Sequence, residues 1–103
     1  MPTAYLTINK ISGDPDELLA GYRRTAETMA GVGRDHGLLV HAVAKVEDGL
    51  MITNLWPSRE GSEAAARDGR RLAVVADHGL EPGQMNPQHF DVEELIVFEA
   101  AAR

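Results

Sequence analysis

The sequence predicts an α+β fold built from two successive β-α-β units within 103 residues. Each unit begins with a strand-like segment that ends near an asparagine, Asn9 in the first and Asn54 in the second. Each then passes through a capped helical pattern to the tetrapeptide Asp-His-Gly-Leu, at residues 35–38 and 77–80, and another strand-like run follows. This order is typical of a ferredoxin-like βαββαβ sandwich with a four-stranded antiparallel sheet. We therefore predict one domain over residues 1–103.

The first half of the chain has the pattern strand, helix, strand. Residues 3–11 alternate between polar and apolar side chains, as a strand with two different faces does. Asp14 to Glu17 has an N-cap acid, a proline at the first helical position and an acid at the third, and an apolar helical stripe follows as far as Ala30. Gly37 can take the left-handed conformation that ends a helix. Residues 38–46 alternate again and predict the second strand.

The second half repeats this pattern after a hairpin. The segment 47–49 ends in Asp-Gly, which favours a tight turn with positive φ, and residues 50–56 form the third strand. Ser58 is expected to cap a helix over 62–67, and Asp68-Gly69 interrupts that helix before it resumes over 70–78. Residues 81–87 contain two prolines and a glycine and predict a loop. The fourth strand is placed at 89–99, before a frayed tail at 100–103.

Composition excludes several classes of function. The formal net charge of −6 opposes a nucleic-acid surface, which needs a basic patch. The chain has no cysteine, so disulfides and thiolate chemistry are excluded. No apolar run reaches the length of a membrane span and no secretory signal is evident, so we expect a cytoplasmic protein. His89 and Asp91 share one face of a strand, but two residues are too few to predict a metal site.

The alternation also suggests which sheet face the helices cover. We expect small apolar residues such as Ala4 and Ala42 to contact the helices. The opposite face would then carry Tyr5, Thr7, Asn9, Leu39, His41, Val43, Leu50, Ile52, Asn54 and Trp56. Leaving the apolar members of that set in water would cost about 1.5–3 kcal/mol for each large side chain. We therefore predict a homodimer in which two sheets face each other and enclose a pocket for a small molecule.

The stretch from Ile52 to Glu60, a strand ending in Trp56 followed by a Ser58-capped helix, resembles the antibiotic-biosynthesis-monooxygenase-like branch of the dimeric α+β barrel superfamily. The resemblance covers about residues 3–98. It implies cofactor-independent oxygenases that bind phenolic polyketides and use Asn and Trp side chains, which would be Asn54 and Trp56 here. Haem-degrading relatives use an Asn on strand one, which Asn9 matches. They carry bulky or ligand residues on the second helix, where this chain has alanines at 64–66, so haem degradation is not expected.

Together these patterns predict catalytic roles for His41, Asn54 and Trp56, with no cofactor. His41 would be a general base and Asn54 an oxyanion donor, and the alternatives are a structural strand histidine and an asparagine that ends a strand. We expect an aromatic or polyketide-like ligand to be held by three further residues, Tyr5, Asn9 and Ile52.

Two further readings of the sequence stay open. His36 and His78 each precede a glycine and are expected to cap the ends of their helices. Because no catalytic motif is unmistakable, the alternative function is a non-catalytic ligand-binding or regulatory module. A purely structural dimer with a filled interface is a third possibility.

Overall fold

The computed structural model describes residues 3–78 and 85–98. The elements are β1 (Ala4–Ser12), α1 (Pro15–Asp35), β2 (Val40–Val46), β3 (Gly49–Trp56), α2 (Arg59–Ala66), α3 (Gly69–Asp77) and β4 (Met85–Val92). All strand pairs are antiparallel, and the order β2-β3-β1-β4 places β1 and β3 in the centre of one sheet. The predicted ferredoxin-like βαββαβ sandwich is therefore confirmed.

Capping residues mark where the helices begin and end, and those at Asp14, Ser58 and Gly37 were predicted. Asp14 Oδ2 accepts a hydrogen bond from the Glu17 amide at 2.9 Å, and Pro15 starts α1. Ser58 and Asp68 cap α2 and α3 in the same way, so the second helical region is divided at the predicted point. Gly37 follows the C-cap of α1 with φ +85°, a conformation that glycine adopts without steric cost.

The fourth strand differs from the sequence prediction. β4 spans Met85–Val92 where residues 89–99 were expected, so the prediction of a loop is wrong for residues 85–87. Pro87 occurs within β4, opposite Asn9 of β1. A proline is tolerated there because β4 is an edge strand, with a neighbour on one side only. Residues 79–84 and 99–103, which include the predicted tail, lie outside the described residues.

The helices cover the opposite sheet face from the one that we expected. Tyr5 and Trp56, which are 9% and 5% exposed, form the core with Val32 of α1 and Ala65 of α2. The sheet therefore does not contact the helices through the small apolar residues such as Ala4 and Ala42, and that assignment is wrong. Large side chains fill the space between a sheet and its helices better than alanine does, since protein interiors are close-packed.

The side of the sheet that carries no helix has an apolar row across all four strands, Val40, Leu55, Leu6 and Phe90, whose members are paired neighbours in the register. Val40 and Phe90 on the two edge strands are 52% and 46% exposed. We call this side the helix-free face. Among the described residues, no helix has both the length and the apolar character needed to cross a membrane.

The β2–β3 hairpin forms where predicted but for a different reason. Gly49 does not have a positive φ. Instead, a Cβ atom at this position would lie 2.1 Å from the carbonyl oxygen of Ile11 on the adjacent strand. Glycine is required here because β1 passes too close for any side chain.

We expect Gly49→Ala to destabilise the protein by about 1–3 kcal/mol, because backbone atoms of β1 and β3 must separate to admit the methyl group. Gly69→Ala is the matched control, since a Cβ there meets no atom within 4 Å and alanine favours the helix. Urea unfolding followed by circular dichroism measures both variants. A Gly49→Ala protein as stable as the wild type would contradict the steric explanation.

Candidate functional site

A cavity of about 480 Å³ lies between the sheet and the helices of a single chain. Its walls include residues of the central strands together with residues of α1 and α3. Five of the six predicted catalytic and ligand-binding residues line it, and these are Asn9, His41, Ile52, Asn54 and Trp56. The cavity is thus on the helix side of the sheet and is formed within one protomer, so the prediction of a pocket enclosed between two protomers is wrong.

His41 lies at the centre of a hydrogen-bonded chain of three side chains. His41 on β2 and Asn54 on β3 are directly opposite in the register, and His41 Nδ1 is 2.6 Å from Asn54 Oδ1. On its other side, His41 Nε2 is hydrogen-bonded to the hydroxyl of Tyr22 on α1, and the two rings stack with centroids 5.7 Å apart. We call this chain the Tyr22–His41–Asn54 relay. It connects the first helix to the two adjacent strands at the cavity wall.

The relay defines the protonation of the imidazole. Because Asn54 faces it with a carbonyl oxygen, which can only accept, Nδ1 must carry the hydrogen. In neutral His41, Nε2 then has a free lone pair and accepts from the Tyr22 hydroxyl. Burial raises the pKa of Tyr22 above its ordinary value of 10.0, because desolvation disfavours the phenolate. Tyr22 therefore remains a hydrogen-bond donor at neutral pH.

Tyr22 is not among the site residues that the sequence predicted. Its position fits the apolar stripe of α1, which is consistent with the half-buried side chain. The signal that could have found it is the hydroxyl, since a tyrosine on the buried face of a helix needs a hydrogen-bond partner. Which partner it meets depends on how α1 crosses the sheet.

The remaining predicted ligand-binding residues have different surroundings. Asn9 and Ile52 are opposite each other on β1 and β3, and Asn9 Oδ1 is closed off from solvent without a hydrogen-bond partner. Trp56 donates its indole N–H to Thr7 Oγ1 at 3.4 Å. Tyr5 packs in the core and stacks on His89, and it is not among the residues that line the cavity. The described residues contain no group of three or more His, Asp or Glu side chains placed to hold a metal ion.

The two histidines of the repeated tetrapeptide occupy C-cap positions, as predicted, but their side chains differ in environment. His36 Nε2 is 3.0 Å from Asp68 Oδ2. Hydrogen bonds from Arg70, and then from His36, hold the pKa of Asp68 well below its usual range. Arg70 also pairs with Asp35 at 2.9 Å, so this cluster joins the end of α1 to the start of α3. His78, by contrast, lines the cavity, and its Nε2 has no partner.

Comparison with solved structures identifies the class of fold. The chain matches antibiotic biosynthesis monooxygenase structures over about 90% of its length. A candidate antibiotic biosynthesis monooxygenase from Caulobacter crescentus aligns with a TM-score of 0.71 at 14% identity, covering 90% of this chain and 92% of that one. SnoaB, a cofactor-independent oxygenase from Streptomyces nogalater, aligns with a TM-score of 0.69 at 16% identity, covering 91% and 97%.

A third structure, a candidate antibiotic biosynthesis monooxygenase from Chloroflexus aurantiacus, aligns with a TM-score of 0.62 at 22% identity, covering 93% of this chain and 97% of that one. No protein-family model and no curated protein sequence matches the chain. At these identities the likeness establishes the fold, and the fold agrees with the resemblance found in the sequence.

Proposed function

We propose that this protein is a cofactor-independent monooxygenase that oxidises an aromatic or polyketide-like phenol in the cavity beneath its helices. The observation that carries the proposal is the Tyr22–His41–Asn54 relay at the wall of a cavity large enough for such a ligand. The same fold in SnoaB, a cofactor-independent oxygenase, supports it.

The cavity suits a planar aromatic molecule. Its volume of about 480 Å³ is within the range of roughly 300–1,000 Å³ that small-molecule sites occupy. Leu50, Ile52 and Trp56 supply apolar walls from the central strand β3. A flat ligand can therefore exchange water for apolar contacts on its faces while its polar groups meet the relay.

The relay can remove a proton from a bound phenol. The phenol proton passes to Tyr22 Oη as the Tyr22 proton passes to His41 Nε2, so His41 is the ultimate base. Asn54 Oδ1 holds Nδ1–H and thereby keeps Nε2 available, as the third member of a catalytic triad does for its histidine. The Nδ2 group of Asn54 remains for the oxyanion that develops on the substrate.

The deprotonated substrate can then react with dioxygen without another reductant. In the phenol tautomer of such a substrate, one methylene hydrogen has moved to the ring carbonyl oxygen, and loss of that hydroxyl proton to the relay leaves a carbanion at the former methylene carbon. The carbanion transfers an electron to O₂ and combines with the resulting superoxide. Protonation of the peroxide and loss of water leave a carbonyl, so R₂CH₂ + O₂ gives R₂C=O + H₂O. The methylene carbon supplies all four electrons, and the hydrogens of the water come from the carbon and from the relay.

We expect Asn54→Ala to lower oxygen consumption by about 10²–10³-fold, because the imidazole loses its orienting partner and the oxyanion loses a donor. The assay follows oxygen uptake with a hydroxyanthrone, which has both a phenol and an acidic methylene group. Asn86→Ala, on the other face of the sheet, is the control and should keep the wild-type rate. Unchanged turnover in Asn54→Ala would contradict the catalytic role of Asn54.

Ligand binding without oxygen uptake by the wild type would favour the alternative, a non-catalytic ligand-binding or regulatory module.

We also propose that the protein is a homodimer that associates through the helix-free face. The apolar row from Val40 to Phe90 is the feature that supports this, since so continuous a patch usually marks an interface. A second copy is the natural occupant because the row is a flat sheet surface that can pack against itself about a two-fold axis. The ligand cavity lies on the other side of the sheet, so each protomer would have its own complete site.

A further inference from the structure

The cationic side chains that line the cavity have no acidic partners. Arg24 of α1 and Arg71 of α3 both line it. In the part of the chain that the structure describes, the lysines and arginines in ion pairs are Lys10, Lys45, Arg59 and Arg70. None of those four is among the cavity-lining residues. Two carboxylates, Asp14 and Glu17, also line the cavity, but neither forms an ion pair with Arg24 or Arg71. Among the described arginines outside the cavity, three are likewise without an ion pair, Arg23, Arg34 and Arg67.

Arg71 is placed on α3 so that it points to the cavity together with His78. The cavity-lining residues of this helix are Arg71, Val74, Val75 and His78, which lie on one helical face at the spacing i, i+3, i+4, i+7. The Arg71 guanidinium donates from Nη1 to the carbonyl oxygen of Ala66 at 3.1 Å. A guanidinium has five N–H donors, so most of its hydrogen-bonding capacity remains for another acceptor. Burial lowers the pKa of Arg71, because removal from water disfavours its charged form.

Arg24 lines the same side of the cavity from α1. A Cβ atom placed on Gly21 of α1 would lie 3.5 Å from Arg24 Nη2 and 3.5 Å from His78 Cε1, so the guanidinium and the imidazole both lie next to this glycine. His78 Nε2 is shielded from solvent and has no hydrogen-bond partner. The α1–α3 side of the cavity therefore gathers two guanidinium groups and an imidazole. We call this the basic wall and define it as Arg24, Arg71 and His78.

We propose that the cavity takes its ligand as an anion, an aromatic acid whose carboxylate binds at the basic wall. Two arginines suit this group because the planar guanidinium matches a carboxylate with paired N–H donors. The inference rests on the proposed function and narrows its substrate class to a carboxylated phenol. The phenol meets the Tyr22–His41–Asn54 relay, and the carboxylate keeps the ring in one orientation relative to it.

The test compares ligands that share one ring system and differ in whether they carry the carboxylate. Isothermal titration calorimetry, carried out without oxygen, measures binding of a hydroxynaphthoate, its methyl ester and the corresponding naphthol to the purified protein. We expect the acid to bind at least about tenfold more tightly than the ester, because charge-assisted hydrogen bonds exceed neutral ones by that much or more. Its affinity should also fall as sodium chloride is added.

Variants then locate the effect. Arg71→Gln and Arg24→Gln should each reduce the affinity for the acid by about tenfold and leave the affinity for the ester unchanged. Arg23→Gln is the matched control, because Arg23 is exposed, as its neighbour Arg24 is, and carries the same charge but does not line the cavity. The ester binding as tightly as the acid, a preference that survives Arg71→Gln, or no binding of any of the three probes would each overturn the proposal. Because no turnover is measured, a protein that binds the acid but consumes no oxygen would defeat the proposed oxygenation and leave the basic wall standing.

Discussion

Tyr22→Phe should lower kcat by about 10²-fold with little change in KM. The variant keeps the aromatic ring that stacks on His41 and removes only the hydroxyl that is hydrogen-bonded to Nε2. Substrate would still fill the cavity, but its proton would have no path to the imidazole. Oxygen uptake with the hydroxyanthrone measures both kinetic constants, and thermal unfolding shows whether the fold is intact.

The pH dependence provides an independent check on Tyr22. Its pKa is raised above 10.0 by burial, so the hydroxyl that the relay uses stays protonated throughout the neutral range. On the alkaline side, wild-type activity should therefore decline only above about pH 10, as the Tyr22 hydroxyl ionises and can no longer donate. Tyr22→Phe should lack that decline. A variant with the wild-type kcat and the wild-type alkaline limb would show that protons leave the substrate by another route.

Replacing both Val40 and Phe90 with lysine should convert the proposed dimer into monomers. The two side chains are about half exposed in one protomer, so the substitutions leave the core intact. Burying each such apolar side chain is worth about 1.5–3 kcal/mol, and two-fold symmetry makes every change count twice. Because about half of each side chain is already buried in the protomer, the dimer would lose about 3–6 kcal/mol, or roughly two to four powers of ten in Kd.

Size-exclusion chromatography with light scattering measures this change at micromolar protein. Leu72→Lys is the matched control, since Leu72 is 52% exposed, as Val40 is, but belongs to α3 on the other side of the sheet. That variant should remain dimeric. A wild-type protein that is monomeric at the same concentration would contradict the proposed interface, and it would leave the cavity within each protomer unaffected.

The local signals in the sequence were accurate because they act over a few residues. Asp14, Ser58 and Asp68 cap helices through bonds to amides two or three residues ahead, and the chain therefore marks its own helix starts. The repeated β-α-β pattern was enough to place β1 and β3 in the centre of the sheet. The fourth strand was misplaced because Pro87 is a strand breaker in general, and only its edge position makes it acceptable.

The sequence by itself determined the order of the elements, the helix caps and the two sets of side chains that alternate along each strand. The sequence predicts that His41 and Asn54 share one face of the sheet, because successive side chains of a strand point to opposite faces. Only the tertiary structure decided which face the helices cover, since a period of two is the same for both faces and the choice depends on how well distant side chains fill the space. Because the helices cover the face that carries His41, the cavity lies inside the protomer, and Tyr22 of α1 contacts His41 although the two are 19 residues apart in the chain.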